Sequence, residues 1–171
     1  MYKFLFIFIC LGSQANAQTF DFAQKQLAVW EMAKKRTLAV AEAMPQTDYY
    51  YQPAQGVKSF AQQIAHMTNS LKSMHTRFIL KQPYSSSEKE AGTMGKKQLV
   101  AELSAAFDMV LKDLPKLSDT QLQETGKTHG AFPLTKWQSL LFMQDHITNH
   151  RAKAVLYLRM KGIRPPQYGY N

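Results

Sequence analysis

The chain has 171 residues, 45% of them hydrophobic, and a formal net charge of +9. That length buries a core without disulfide staples and makes one domain the expectation. No tract interleaves arginine with aromatic residues, which argues against a nucleic-acid partner.

The opening "MYKFLFIFICLGSQANAQ" has Lys3 as a thin positive region, an apolar run from Phe4 to Leu11, and "ANA" at Ala15 to Ala17. This pattern fits a signal peptide over residues 1–17 with an A-x-A cleavage site before Gln18. An uncleaved anchor is the alternative, but a membrane span takes about 20 apolar residues, more than this run supplies. Cys10 is the single cysteine and lies in that segment, preceded by Ile9 where lipoprotein processing takes a small residue. The mature domain, residues 18–171, is therefore expected to be exported, periplasmic or secreted, and held together without disulfides. Removing Lys3 leaves 20 basic against 12 acidic residues, net +8. Such a charge suits peripheral contact with an anionic envelope surface, and equally suits solubility alone.

Helical periodicity runs through four segments, and no segment alternates as a strand should. The first spans about residues 20–44, with Phe22, Leu27, Trp30, Leu38 and Ala41 on one stripe, stopped by Pro45. A loop rich in Tyr, Pro and Gly follows. The second opens at Ser59, where "SFAQ" has the Ser and Gln of a capping box. Its stripe is Phe60, Ile64, Met67, Leu71, Met74 and Phe78, and it ends before Pro83. The third runs from about Lys96 to Leu114, with Leu99, Leu103, Phe107 and Val110 facing inward and Pro115 closing it. An irregular stretch to Leu134 has one helical turn expected near Asp119 to Glu124. The last helix opens at Thr135 with a second capping box, "TKWQ", and ends at Gly162 with "PP" beyond. Four such segments predict an all-α four-helix bundle. Leu140, Leu141, Phe142, Met143 and Ile147 make the last helix apolar beyond one stripe, which is compatible with a homodimer.

His146 and His150 stand four apart in the last helix, so they lie only about 40° apart around it and reach one ion together. A firm site needs a third protein ligand. His66, His75 and His129 are the candidates. His66 and His75 are nine residues apart on the second helix, roughly half a turn out of phase, so they cannot both serve. "HITNH" holds no glutamate, which excludes the HExxH zincin motif, and the Glu-x-x-His signature of di-iron bundles is absent too. Asp145 points about 100° away from His146; an exposed acid is the favoured reading, an acceptor orienting a histidine the other. Tyr49, Tyr50, Tyr51 and Trp30 are read as core or loop packing rather than a pocket mouth.

Two stretches, "YYYQPAQGVKSFAQQIAHM" and "DHITNHRAKAVLYLRMKGIRPP", resemble the DinB-like (DinB/YfiT) superfamily of metal-binding four-helix bundles over almost the whole mature chain. The resemblance implies one ligand on the second helix and two on the last: His66, His146 and His150. It implies a divalent ion, zinc or nickel first. Arg151 keeps the family's Arg-Gly-Gln continuation, while Ala152 and Lys153 depart from it; Ala152 is expected to pack closely between helices. Relatives include thiol S-transferases and a mycothiol-dependent isomerase. Such thiols are cytoplasmic, so an exported relative is expected to use another substrate.

Three imidazoles leave a coordination position for water or substrate, the physical basis for a metal-dependent enzyme of hydrolase or thiol-transferase type. No pattern identifies its small-molecule substrate or a catalytic acid or base. The alternative is a non-catalytic metal- or ligand-binding envelope protein in which the ion is structural, tying the second helix to the fourth.

Overall fold

The computed structural model describes residues 21–85, 93–126 and 133–168. Residues 1–17, expected to be a signal peptide, and with them Cys10, lie outside these, as does His129. Four long helices form: α1 (Phe22–Ala43), α2 (Phe60–Met74), α3 (Lys96–Asp113) and α5 (Lys136–Met160), with a short α4 (Asp119–Gln123) before the last. α2 and α1 each pack against both α3 and α5, so the order around the bundle is α1, α3, α2, α5. The consecutive helices α1 and α2 therefore sit on a diagonal, and the loop between them crosses one end of the bundle.

The side chains that fix these helices are those the patterning demands. Asp21 caps α1 by accepting from the Gln24 N–H. Ser59 and Gln62 form the reciprocal box at α2, and Thr135 and Gln138 the one at α5. A third box, Ser118 with Gln121, opens α4. Each satisfies backbone donors that the first helical turn leaves orphaned. The end of α5 is a Schellman motif: Ile163 N–H donates to Leu158 O, Gly162 N–H to Arg159 O, and Gly162 takes φ +72°. A residue with a Cβ adopts that angle only at a cost. At the end of α1, which has no basic residue in its last turn, Lys96 of α3 donates to the Glu42 and Met44 carbonyls.

Trp30, Phe60, Met67, Leu99, Leu103 and Phe107 are fully buried in the core, Trp30 meeting Phe107 edge to face at 6.3 Å. Tyr49 is also fully buried, its ring 5.2 Å from that of Phe60. The Tyr49 and Tyr51 carbonyls accept from the Ala61 and Phe60 N–H groups, so the tyrosine loop lies over the start of α2. Phe22, Leu27 and Leu38, expected on the inner stripe of α1, are only half-buried.

Two departures from the periodicity reading concern the ends of elements. α2 widens into a π-helical turn at His75–Ile79, and the irregular stretch contains a two-residue antiparallel ladder, β1 (Thr125–Gly126) with β2 (Leu134–Thr135). Neither leaves a periodic signature, since two residues cannot alternate visibly and one wide turn shifts no apolar position. Both meet in space: a Cβ on Gly126 would come to 3.4 Å from the Phe78 carbonyl oxygen.

Candidate metal centre

α2 and α5 are neighbours in the bundle, and each presents polar residues at helical spacing to the other. From α2 these are Gln63, His66 and Ser70; from α5, His146, His150 and Tyr157. The ring centroids of His66 and His150 are 4.4 Å apart, those of His146 and His150 4.6 Å, and those of His66 and His146 5.3 Å. One nitrogen from each of the three rings lies within 4.8 Å of the others. Among the described residues no carboxylate or cysteine joins this group. His150 is 9% exposed, whereas His66 and His146 are half-buried, with the His146 Nε2 itself out of reach of solvent.

A directional chain of hydrogen bonds holds His150. Its Nδ1 lies 2.8 Å from Gln63 Oε1, an acceptor that requires the proton on Nδ1 and leaves the Nε2 lone pair available. Gln63 Nε2 donates to the Tyr157 hydroxyl at 3.4 Å, which donates in turn to the Lys58 carbonyl at 3.0 Å. On His66, Nε2 lies 3.4 Å from the Ser70 hydroxyl. The His150 pKa is lowered to about 4, first by burial, then by His66 and His146, with Lys153 and Lys58 adding to it. His150 is therefore neutral at neutral pH, the form a metal ligand takes. The donor set fits a divalent ion: three neutral-capable imidazoles on two packed helices, one with its tautomer fixed by an amide that metal chemistry favours.

The structure thus brings His66, His146 and His150 together. It does not bring His75, which is 1% exposed at the far end of α2 with Nε2 3.4 Å from Asp113 Oδ2. Asp145 is exposed, as favoured. Trp30 and Tyr49 are core; Tyr51 packs edge to face on Tyr157 at 6.3 Å, and exposed Tyr50 donates to the Met94 carbonyl. The expectation for Ala152 is corrected: it is exposed, on the solvent side of α5, and packs between no helices. Gln63 escaped the sequence reading. Its signal was its place three residues before His66, on the same face of α2.

Fold and site together define a class: a bundle of four helices, its first two on a diagonal, with three histidines clustered between the second and the last. The chain belongs to the DinB superfamily, whose family model matches residues 30–154. Three solved structures show the same fold. A DinB-like protein from Bacillus cereus is 14% identical, with a TM-score of 0.74 over 85% of this chain and 97% of that one. A DinB-like protein from Bacillus subtilis is 16% identical, at 0.66 over 84% and 96%. A conserved protein from Enterococcus faecalis is 17% identical, at 0.64 over 83% and 98%. No curated protein matches the chain.

Proposed function

We propose that His66, His146 and His150 bind one divalent metal ion, zinc or nickel, and that the protein is a metal-dependent enzyme of hydrolase or thiol-transferase type. One observation carries this reading: three imidazole nitrogens within 4.8 Å of one another, with no carboxylate or cysteine beside them among the described residues. A divalent ion held by three imidazoles supplies Lewis acidity toward a water or thiol at an open position. The chain's own residues do the rest. Gln63 fixes the His150 tautomer, Tyr157 and the Lys58 carbonyl hold Gln63 in place, and the half-buried His66 leaves a way in for a small molecule. Three ligands rather than four among the described residues favour an enzyme over a structural ion, which is ordinarily enclosed by four protein ligands.

Elemental analysis of the purified protein tests the site. Stoichiometric zinc or nickel in the wild type and its loss in His150→Ala is the expected result, and full retention in the variant would remove His150 from the ligand set. Turnover by the metal-loaded protein on a panel of esters, amides and thiol acceptors, lost on chelation, tests the enzyme reading. Export belongs to the same proposal: mass spectrometry of the mature protein should give an N-terminus at Gln18, and a chain beginning at Met1 in the cell envelope contradicts cleavage.

A further inference from the structure

On the opposite side of α5 from the path to α2 lies a cleft of about 580 Å³, walled by α1, α5 and the chain after Gly162. Four arginines line it: Arg36 from α1, Arg151 and Arg159 from α5, and Arg164 from the tail. Among the described residues no aspartate or glutamate does. The α5 residues Thr148, Arg151, Val155 and Arg159 follow helical spacing along one stripe. Arg151 is rotated about 100° from His150, so the cleft is separate from the histidine cluster.

Arg151 is the anchor. It is 5% exposed, and its hydrogen bonds go to hydroxyls: Nη1 to Thr37 Oγ1 and Nη2 to Thr148 Oγ1, each 3.2 Å, with the Tyr168 phenol a further partner. Among the described residues no carboxylate pairs with it. The Tyr168 ring covers two of the guanidinium groups, its centroid 4.5 Å from Arg36 Cζ and 5.6 Å from Arg151 Cζ. That cation–π contact holds two like charges side by side. A guanidinium withdrawn from water wants a countercharge, and its planar fork matches the oxygens of phosphate or carboxylate. Arg151, Arg159 and Arg164 alone exceed what one carboxylate balances, which points to a dianion. Val40, Val155 and Pro166 give the same cleft an apolar side suited to an organic body. Its volume is that of a small-molecule pocket.

We propose that this cleft is a binding site for a small phosphate monoester, with its phosphate on Arg151 and the neighbouring arginines and its organic group against Val40, Val155 and Tyr168. Isothermal titration calorimetry with phenyl phosphate at physiological ionic strength tests it, on metal-loaded and on chelator-treated protein. The expected result is saturable one-to-one binding in both preparations. The double variant Arg159→Ala/Arg164→Ala, at exposed positions that leave the core intact, should weaken it about tenfold or more. Arg151→Lys, which keeps the charge and loses the fork, should weaken it as well. Absence of saturable binding overturns the proposal, and so does binding indifferent to the double variant. Binding seen only in the metal-loaded protein places the phosphate on the ion and likewise overturns it. A last arm titrates vesicles of phosphatidic acid in phosphatidylcholine; binding to these without binding to phenyl phosphate overturns the small-molecule source in favour of a lipid headgroup.

Discussion

Gln63 is a buried amide whose two ends do different work: Oε1 accepts from His150 and Nε2 donates to Tyr157. Replacing it with Leu removes the acceptor that fixes the His150 tautomer while keeping the volume. Loss of such an orienting partner costs roughly 10–100-fold in metal affinity. Competition against a chromophoric zinc chelator should show that loss in Gln63→Leu, and unchanged affinity would show that His150 orients itself. His75 gives a second test at this scale, on stability. Burial holds its pKa below the ordinary value of 6.5, with Asp113 opposing, and among the described residues neither ring nitrogen finds a hydrogen-bond partner. The unfolded chain then binds the proton more tightly than the folded one. His75 contributes stability that is complete above the unfolded pKa and is lost as pH falls from about 6.5 toward the depressed folded value. His150, lowered to about 4, pulls in the same direction. Urea unfolding across that window should show wild-type stability falling on acidification, and His75→Leu should fall less steeply. Equal slopes would mean that His75 is protonated in neither state or in both.

The elements divide by how local their causes are. The four long helices were legible because their causes lie within a few residues of one another: Ser59 with Gln62, Thr135 with Gln138, Gly162 before two prolines, and apolar stripes at steps of three and four. The π turn after Met74 and the β1–β2 pair were not, because they are stabilised by contacts across the chain, as where Gly126 lies against Phe78. The histidine cluster shows the same division. The pairing of His146 with His150 follows from one helix; the choice of His66 over His75 and His129 did not and came from the family resemblance, and in the structure it is His66 that clusters with the pair while His75 lies beside Asp113. Gln63 was missed since an amide announces its role only through the atom it faces. The caps carry a quantitative expectation. Ser59→Ala removes one half of the box at α2, and loss of such a cap costs about 1 kcal/mol. Chemical denaturation of the metal-free protein should read that drop, and no change would mean that the Tyr49 and Tyr51 carbonyls over Phe60 and Ala61 hold the start of α2 alone.

At the scale of the molecule, the histidine cluster joins two helices far apart in sequence, α2 and α5, in a domain expected to lack disulfides. Polar cross-links elsewhere are mostly surface ion pairs, such as Lys34 with Asp108, Lys72 with Glu102 and Lys161 with Asp48. Pairs of that kind contribute little individually. An ion bound by the folded state alone stabilises it by about 2.7 kcal/mol when free metal stands at one hundred times the dissociation constant. For a domain of this size each kcal/mol moves the melting temperature by roughly 2–4 °C. Adding zinc to chelator-treated protein should therefore raise the melting temperature by several degrees, and the rise should grow with the logarithm of zinc concentration. His66→Ala and His150→Ala should each abolish it, since one cuts the link at α2 and the other at α5. A rise that survives either variant would mean that zinc binds a different group, and a wild type indifferent to zinc would mean that the three imidazoles converge without holding an ion.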